Sequence, residues 1–493
     1  MITTNIVGIY KTKNARYPQP IYSPSVPYPE YKFKDIAKEK NEVYEGVRYL
    51  FHQLGFDKEN FGKENWNPLA ELINKGDAVV IKPNMVLDHS VDGRNDLEVL
   101  ITHGSIIRAV LDYVFLALGK TGKVIVCDAP HADAIWEKIT DFLKLNELKI
   151  FYKKFDYEME FYDLREVQCE IFNRNNEFFY FKKLDGDPNG YRKIDLKENS
   201  CFSSSKFSFD NIGGASLNRR ELKSHHIEGR HEYLVAQTVL NADVFISLPK
   251  LKSHKKAGVT LSLKNTIGIA GNKNYLPHQM TYLNIPKERY KKIIFYFNCF
   301  LNDRLLGEFG SKNICKARLA LTIRDSLLFI QKGAKKIIEK ITGKKISFGV
   351  GSDSENWHGN DVLWRTILDL NRMLFFCDKN GVLMEKPIRK CLSIIDGIVA
   401  GEGEGPLAPD RKEVGVLIGG LDFIFVDSIA CMLMGFDINR IKLMETASKI
   451  LDKKVDDVVL VSNDGRFSSL DSLKINHFRF KASAGWKGRI EID

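Results

Sequence analysis

The residues best suited to chemistry crowd into one stretch, 241–271, NADVFISLPKLKSHKKAGVTLSLKNTIGIAG. Val244–Leu248 is a short apolar run of the kind that forms a buried strand. Directly after it come Lys250, Lys252, His254, Lys255 and Lys256, then Thr260, Lys264 and Asn265. Open α/β sheets bind ligands at the carboxyl ends of their strands, and ammonium groups gathered there suit an anion. His254 with Lys250, Lys252 or Lys264 also supplies paired bases for moving a proton. A solvated lysine-rich turn is the plainer alternative for such charges. Lys264-Asn265 argues for a site, because it sits inside an apolar, small-residue run where a free charge is costly.

Two further groups add to this one. Lys82-Pro83-Asn84 follows the apolar run 78–81, and Pro83 turns the chain out of the strand so that Lys82 and Asn84 present an ammonium and an amide to a ligand. The glycine-rich segment Gly401-Glu402-Gly403-Glu404-Gly405 follows Asp396 and reads as a flexible loop. Asp396, Glu402 and Glu404 are candidate ligands for a hard divalent cation such as Mg²⁺, or one of them is a general acid or base. A solvated loop is the alternative. Trp357, His358, Asn360 and Asp361 crowd together at a helix start, a mixture of aromatic and polar groups that fits sugar or ring recognition. A tryptophan fixed in the core is equally consistent with it. His225, His226 and His231, with Glu228 and Glu232, are a metal half-site by residue type but not by any recognised spacing, and surface imidazoles are the plainer reading. Asp128 and His131 fall at another strand end and read as turn or cap residues; Asp427 reads as a helix cap.

The elements that must position these groups alternate. Short apolar strands at about 5–10, 78–81, 124–127, 244–248, 392–395, 414–418 and 423–426 are interspersed with helical patterns over 41–54, 103–118, 233–240 and 428–434. The expected fold is α/β, a doubly wound and mostly parallel sheet. Residues 1–77 supply a strand, a proline-rich arm at 17–31 that reads as a surface wrap, and a helix; 78–148 begin the core. Residues 149–223 alternate aromatic and polar side chains and read as an antiparallel β insertion, and 224–284 resume the core. Residues 285–347 form a basic helical subdomain, and 348–493 complete the core.

Three segments, LPKLKSH…GVTLSLKNTIG, VVIKPNMV and IDGIVAGEGEGP…DFIFVDSIACMLMGF, together resemble the family catalogued as domain of unknown function 362. The resemblance runs from about Val79 to about Ala447 with an insertion, and it implies no defined reaction. Some members of that family carry a ferredoxin-like iron–sulfur module. This chain departs from them, since its eight cysteines include no C-x-x-C pair. Neither an iron–sulfur cluster nor NAD is expected, the latter because no dinucleotide fingerprint occurs.

Scattered cysteines fit reduced thiols, and the N-terminal stretch lacks the basic and apolar regions of a signal peptide, so a cytoplasmic protein is expected. The net charge of +10 arises in one place. Between Lys287 and Lys345, 15 Lys and Arg stand against 5 Asp and Glu, and the rest of the chain balances at 58 each. With apolar residues along one side, this segment suits a peripheral contact with an anionic membrane at the inner face, or a solvated helical cap. Nucleic acid is not expected, because no helix-turn-helix, zinc finger or RNP-like signature is present. The functional expectation is an enzyme for a small anionic metabolite bearing phosphate or carboxylate, with a sugar-containing substrate of cell-surface glycan synthesis as the leaning. The alternatives are racemase- or epimerase-type proton abstraction beside a carboxylate and a non-catalytic anion- or membrane-binding protein.

Overall fold

A computed structural model describes residues 4–171, 179–203, 209, 212–215, 219–280 and 356–492, with scattered positions between 315 and 333. The basic subdomain expected over 285–347, and with it the membrane contact, lies outside the described residues apart from those scattered positions, which are helical.

The elements that carry the site are, in chain order, β1 (Ile6–Lys11), α1 (Glu42–Gln53), β2 (Ala78–Pro83), α2 (Gly104–Leu118), β3 (Lys123–Asp128), β4 (Glu160–Asp163), β5 (Val244–Leu248), β6 (Lys250–His254), β7 (Gly258–Thr260), α3 (Leu363–Phe376), β8 (Lys390–Glu404), β9 (Ala408–Gly420), α4 (Phe423–Met434) and β10 (Val459–Ser462). The main sheet has the order β10-β1-β9-β8-β5-β2-β3-β4, with β6 and β7 attached beside β8. All pairings along that row are parallel except those of β9, which runs against both β8 and β1.

Strand alternation divides the core in two. Val79, Ile81, Val244, Ile246, Leu392 and Ile394 face α1 and α2, where Val43, Val47, Ile106 and Val110 meet them. Val80, Phe245 and Ile395 face the other side, against Leu363, Ile367 and Leu370 of α3 and Val426 and Ile429 of α4. Helices on both faces of a mostly parallel sheet make this the doubly wound α/β fold that the alternating pattern predicts.

Four local expectations need correction. The glycine-rich 401–405 stretch is the far end of β8, hydrogen-bonded to β9 from Gly401↔Arg411 to Glu404↔Ala408, and is not a flexible loop. The expected helix over 233–240 is a strand over Arg230–Ala236, paired with Tyr191–Asp195, and only Gln237–Leu240 is helical. Residues 423–426 open helix α4 rather than forming a strand; Asp422 caps it, accepting from Ile424 N and Phe425 N. The aromatic insertion is antiparallel where Val167–Ile171 pairs with Phe179–Lys183, but it is entered through a helix, Leu145–Lys153, and its strand β4 joins the main sheet in parallel.

The proline-rich arm is anchored to the core by charge. Arg108 of α2 is wholly buried, pairs with Asp112 Oδ1 at 3.0 Å, donates to Tyr31 Oη at 2.8 Å and Ile21 O at 3.2 Å, and contacts Asp35 at 3.3 Å. Removing one member of a buried pair strands the other charge. Arg108→Leu is therefore expected to lower the unfolding free energy by about 3–5 kcal/mol in urea denaturation and to open the arm to proteolysis. A loss below about 1 kcal/mol would show that Arg108 does not hold the arm.

Candidate functional site

Strands β2, β3 and β5 end side by side, and the turn after β7 closes over them. Lys82 leaves β2 with its ammonium 2.8 Å from Asp128 Oδ1, 2.9 Å from Asn265 Oδ1 and 3.0 Å from Pro83 O. Asp128 Oδ2 accepts from Met85 N at 2.8 Å. Asn265 Nδ2 returns to Lys82 O and Ser247 Oγ, both at 3.0 Å. One amide thus joins β2, β5 and the short helix Ser262–Asn265. The fit requires glycine at 268, where a Cβ would stand 1.8 Å from Asp128 Oδ1 and 2.5 Å from Lys82 Cε.

The Ser262–Asn265 turn is fixed from the opposite side by Asp427. Rather than capping its own helix, this carboxylate lies in α4 and accepts from Ser262 N at 2.8 Å and Leu263 N at 2.9 Å. Burial raises its pKa to about 7, against the pull of those hydrogen bonds. Ser262 Oγ also meets Ser393 Oγ of β8 at 2.7 Å, and Asn371 of α3 donates to Leu263 O at 2.8 Å.

Around this anchor stand the other candidates. Lys252 is buried on β6 and donates to Leu100 O; burial, then the charges of Lys264 and Lys250, hold its pKa well below the lysine range. His254 is buried, and its Nδ1 accepts from Lys256 N at 3.0 Å and Ala257 N at 3.1 Å, which leaves the proton of the neutral ring on Nε2. Burial and the neighbouring Lys264, His278, Lys256 and Lys252 keep the ring neutral. Lys264 is half-buried, and burial with the charges of Lys82 and Lys256 lowers its pKa to about 7. Thr260 pairs across from Lys252, and among the described residues its buried hydroxyl and the buried carbonyl oxygen of the Asn84 side chain have no hydrogen-bond partner. Sequence reasoning missed Lys273, likewise brought to about 7 by burial, and His278, kept neutral by burial and by Lys256 and Lys264. Nothing in their local pattern marks either one; the fold carries them in.

Lys250 stands apart from this group. It is fully buried, with its ammonium 3.0 Å from Asp396 Oδ2 and 2.6 Å from Tyr17 Oη. Burial lowers its pKa and Asp396 opposes that. The same Asp396 accepts from Tyr17 Oη at 2.7 Å and His103 N at 2.9 Å, and Tyr17 stacks on His103 with ring centroids 3.9 Å apart. The proline-rich arm therefore packs into this end of the sheet rather than wrapping the surface.

The proposed metal trio does not converge. Six residues of strand separate Asp396 from Glu402, about 20 Å at the usual rise. Glu402 is held by Lys412 at 2.8 Å and Lys481 at 3.3 Å, and Glu404 accepts from Ala484 N at 2.6 Å. Among the described residues no group of three His, Cys, Asp or Glu is close enough to share a metal ion. The Trp357 group also separates. Trp357 is 44% exposed, while Asn360 caps α3 through Val362 N and Leu363 N and reaches His278 O at 3.3 Å. Asp361 is engaged by Trp364 Nε1 at 2.8 Å and Arg365 at 3.0 Å. Asn360 alone of the three borders the cleft. Of the histidine group, His225 pairs with Glu232 at 2.8 Å and His226 Nε2 meets Tyr275 O at 2.7 Å, each as part of local packing.

Asp427→Ala leaves Ser262 N and Leu263 N without their acceptor. A helix-start acceptor is worth about 0.5–2 kcal/mol, so the variant should lose that much stability in denaturant titration. A variant as stable as the parent would show that the turn does not need Asp427.

The model for the family described as domain of unknown function (DUF362) matches residues 204–432. No curated protein matches the chain. Among solved structures, a crystal structure of a protein from Thermotoga maritima is similar at 11% identity with a TM-score of 0.27, over 79% of this chain and 58% of that one. This chain therefore spans little more than half the length of that protein. Among the described residues no helix is long and apolar enough to cross a membrane. The Lys/His strand end, the turn bearing Lys264 and the β8 strand all lie within 204–432, and in that part the chain resembles the DUF362 family.

Proposed function

We propose that the cleft binds a small anionic metabolite bearing a carboxylate or phosphate and transfers protons on it with Lys264 and the neutral imidazoles His254 and His278. The observation that supports this reading is the imbalance of charge around Lys264. Lys82, Lys252, Lys256 and Lys273 surround it, and Asp128 is the carboxylate whose attraction is felt at Lys252, Lys264 and Lys273. Packing ammonium groups together with so little counter-charge is unfavourable, and an anion in the cleft relieves it. The unpartnered Thr260 hydroxyl and Asn84 carbonyl offer a substrate hydroxyl or water two further polar contacts.

A group near pKa 7 serves as acid and base at neutral pH with the least loss to wrong protonation. Lys264, at about 7, meets that condition, and His254 presents a neutral N–H donor. A neutral amine with a neutral imidazole nearby suits abstraction and return of a proton beside a carboxylate.

Thermal denaturation with added sulfate tests the anion site without confusion from the ion's own titration. Saturation to about 100 times the dissociation constant should stabilise by about 2.7 kcal/mol. Ammonium binds the anion and amine does not, so affinity should fall as pH rises through about 7, where Lys264 and Lys273 lose their protons. Lys264→Met should weaken binding and flatten that dependence. No stabilisation by sulfate, phosphate or simple carboxylates at any neutral pH would sink the reading.

A further inference from the structure

Lys264 differs from the other lysines of the cleft in what its nitrogen touches. Lys82 is engaged by Asp128, Asn265 and Pro83 O; Lys252 by Leu100 O; Lys256 by Gln279; Lys273 by Ile267 O at 3.0 Å and Ala270 O at 3.4 Å. Lys264 has no hydrogen bond or ion pair among the described residues, and it is half-buried rather than sealed in. Its backbone is the reverse of free. Asp427, Asn371, Ser393 and the Asn265 amide hold the Ser262–Asn265 turn from α4, α3, β8 and the ends of β2 and β5. A rigid turn thus presents one half-buried, uncommitted amine among Lys82, Lys252, Lys256 and Lys273.

An amine placed beside other cations and partly shielded from water is the arrangement that frees its lone pair for attack on a carbonyl carbon. We propose that Lys264 condenses with the carbonyl group of an anionic oxo compound, of the 2-oxo acid class, whose anionic end the surrounding lysines hold. This rests on the anion-binding reading above and names its substrate class. The amine nitrogen attacks the carbonyl carbon, a C–N bond forms, and the carbonyl π pair moves to oxygen, which accepts a hydrogen bond from His254 Nε2–H. The nitrogen sheds a proton, which passes through solvent to that oxygen. The hydroxyl then takes a second proton from solvent and leaves as water, and the nitrogen lone pair closes the C=N bond of an iminium. This cation draws electrons from the neighbouring C–H or C–carboxylate bond, and water reverses the condensation to free the amine. The substrate anion offsets the iminium charge, so the cleft tolerates the cation only when that anion is present.

Pyruvate with cyanoborohydride tests this on the full chain, because the reductant traps an iminium as a stable secondary amine. Peptide mapping by mass spectrometry should place the adduct on Lys264, with labelling that quickens as pH rises through about 7 and disappears in Lys264→Arg. Pyruvate should label at least about tenfold faster than uncharged acetone, the value of one charge-assisted hydrogen bond. Adducts spread over exposed lysines, or unchanged labelling in Lys264→Arg, would overturn the proposal. Mapping on the unmodified sequence needs no variant to fold, and the melting temperature of Lys264→Arg shows whether its result counts. Sulfate stabilisation without an adduct defeats the imine and leaves the anion site standing. An adduct at Lys264 that sulfate does not slow upholds the amine and removes the anion site beneath it.

Discussion

The cleft depends on the ion pair between Lys82 and Asp128. Each comes from the last turn of a parallel strand, and together they occupy the space that Gly268 leaves open above the sheet. Because the pair is buried, its remaining polar groups need partners; Asn265 and Pro83 O serve Lys82, and Met85 N serves Asp128 Oδ2. Asn265 completes the junction by reaching two strands at once, which sets the residue immediately before it, Lys264, at the mouth of the strands. The sheet, the ion pair and the reactive turn are thus one rigid unit.

Charge then sorts the lysines into two kinds. Those with a carboxylate in contact, Lys82 and Lys250, are scaffold. Burial lowers the pKa of Lys250 as it does those of Lys252, Lys264 and Lys273, but only Lys250 of these four has a carboxylate in contact to oppose it among the described residues. Two like charges 4 Å apart repel by about 4 kcal/mol at an effective dielectric of about 20, and a shift of one pKa unit corresponds to about 1.4 kcal/mol. Repulsion of that order, weakened by water at the half-buried Lys264 and reinforced by burial, is of the right size to bring a lysine near neutrality. Burial, with Lys82 nearby, brings both Lys264 and Lys273 to that value, and among the described residues Lys264 alone of the two lacks acceptors for its protons.

Much of the scaffold was legible in the chain, because buried parallel strands read as apolar runs and helices as periodic ones. Val244–Leu248 and the end of β2 at Lys82 fall where pattern alone puts them, whereas Lys250–His254, expected to trail the end of Val244–Leu248, form a strand of their own. The site was legible in part. Lys82, Lys252, His254, Thr260, Lys264 and Asn265 meet in one place, since the end of β2, the antiparallel pair β6–β7 and one short turn carry them all. The carboxylates misled, because alternation of glycine and glutamate is equally the pattern of an extended strand. Only the pairing of Glu402 opposite Asp410 decides between strand and loop. Asp128, readable as a turn residue, became the counter-charge of the cleft, and Asp427, readable as a cap, acts on a turn far away in the sequence. Contacts of that range leave no trace in local spacing.

Lys250 and Lys252 show how fold, not residue type, assigns a role. They are two apart on one strand and so share a face. Asp396 stands across from Lys250 in the register of β8, whereas Lys252 stands across from Gly401, which offers no side chain. The first lysine becomes half of a buried pair that also holds Tyr17 and the arm, and the second, among the described residues, donates only to the carbonyl of Leu100. An irregularity in the pairing between the two positions sets this difference. The strand therefore changes from structural to chemical within two residues, and the β6–β8 register is what holds the arm's anchor and the reactive cleft apart.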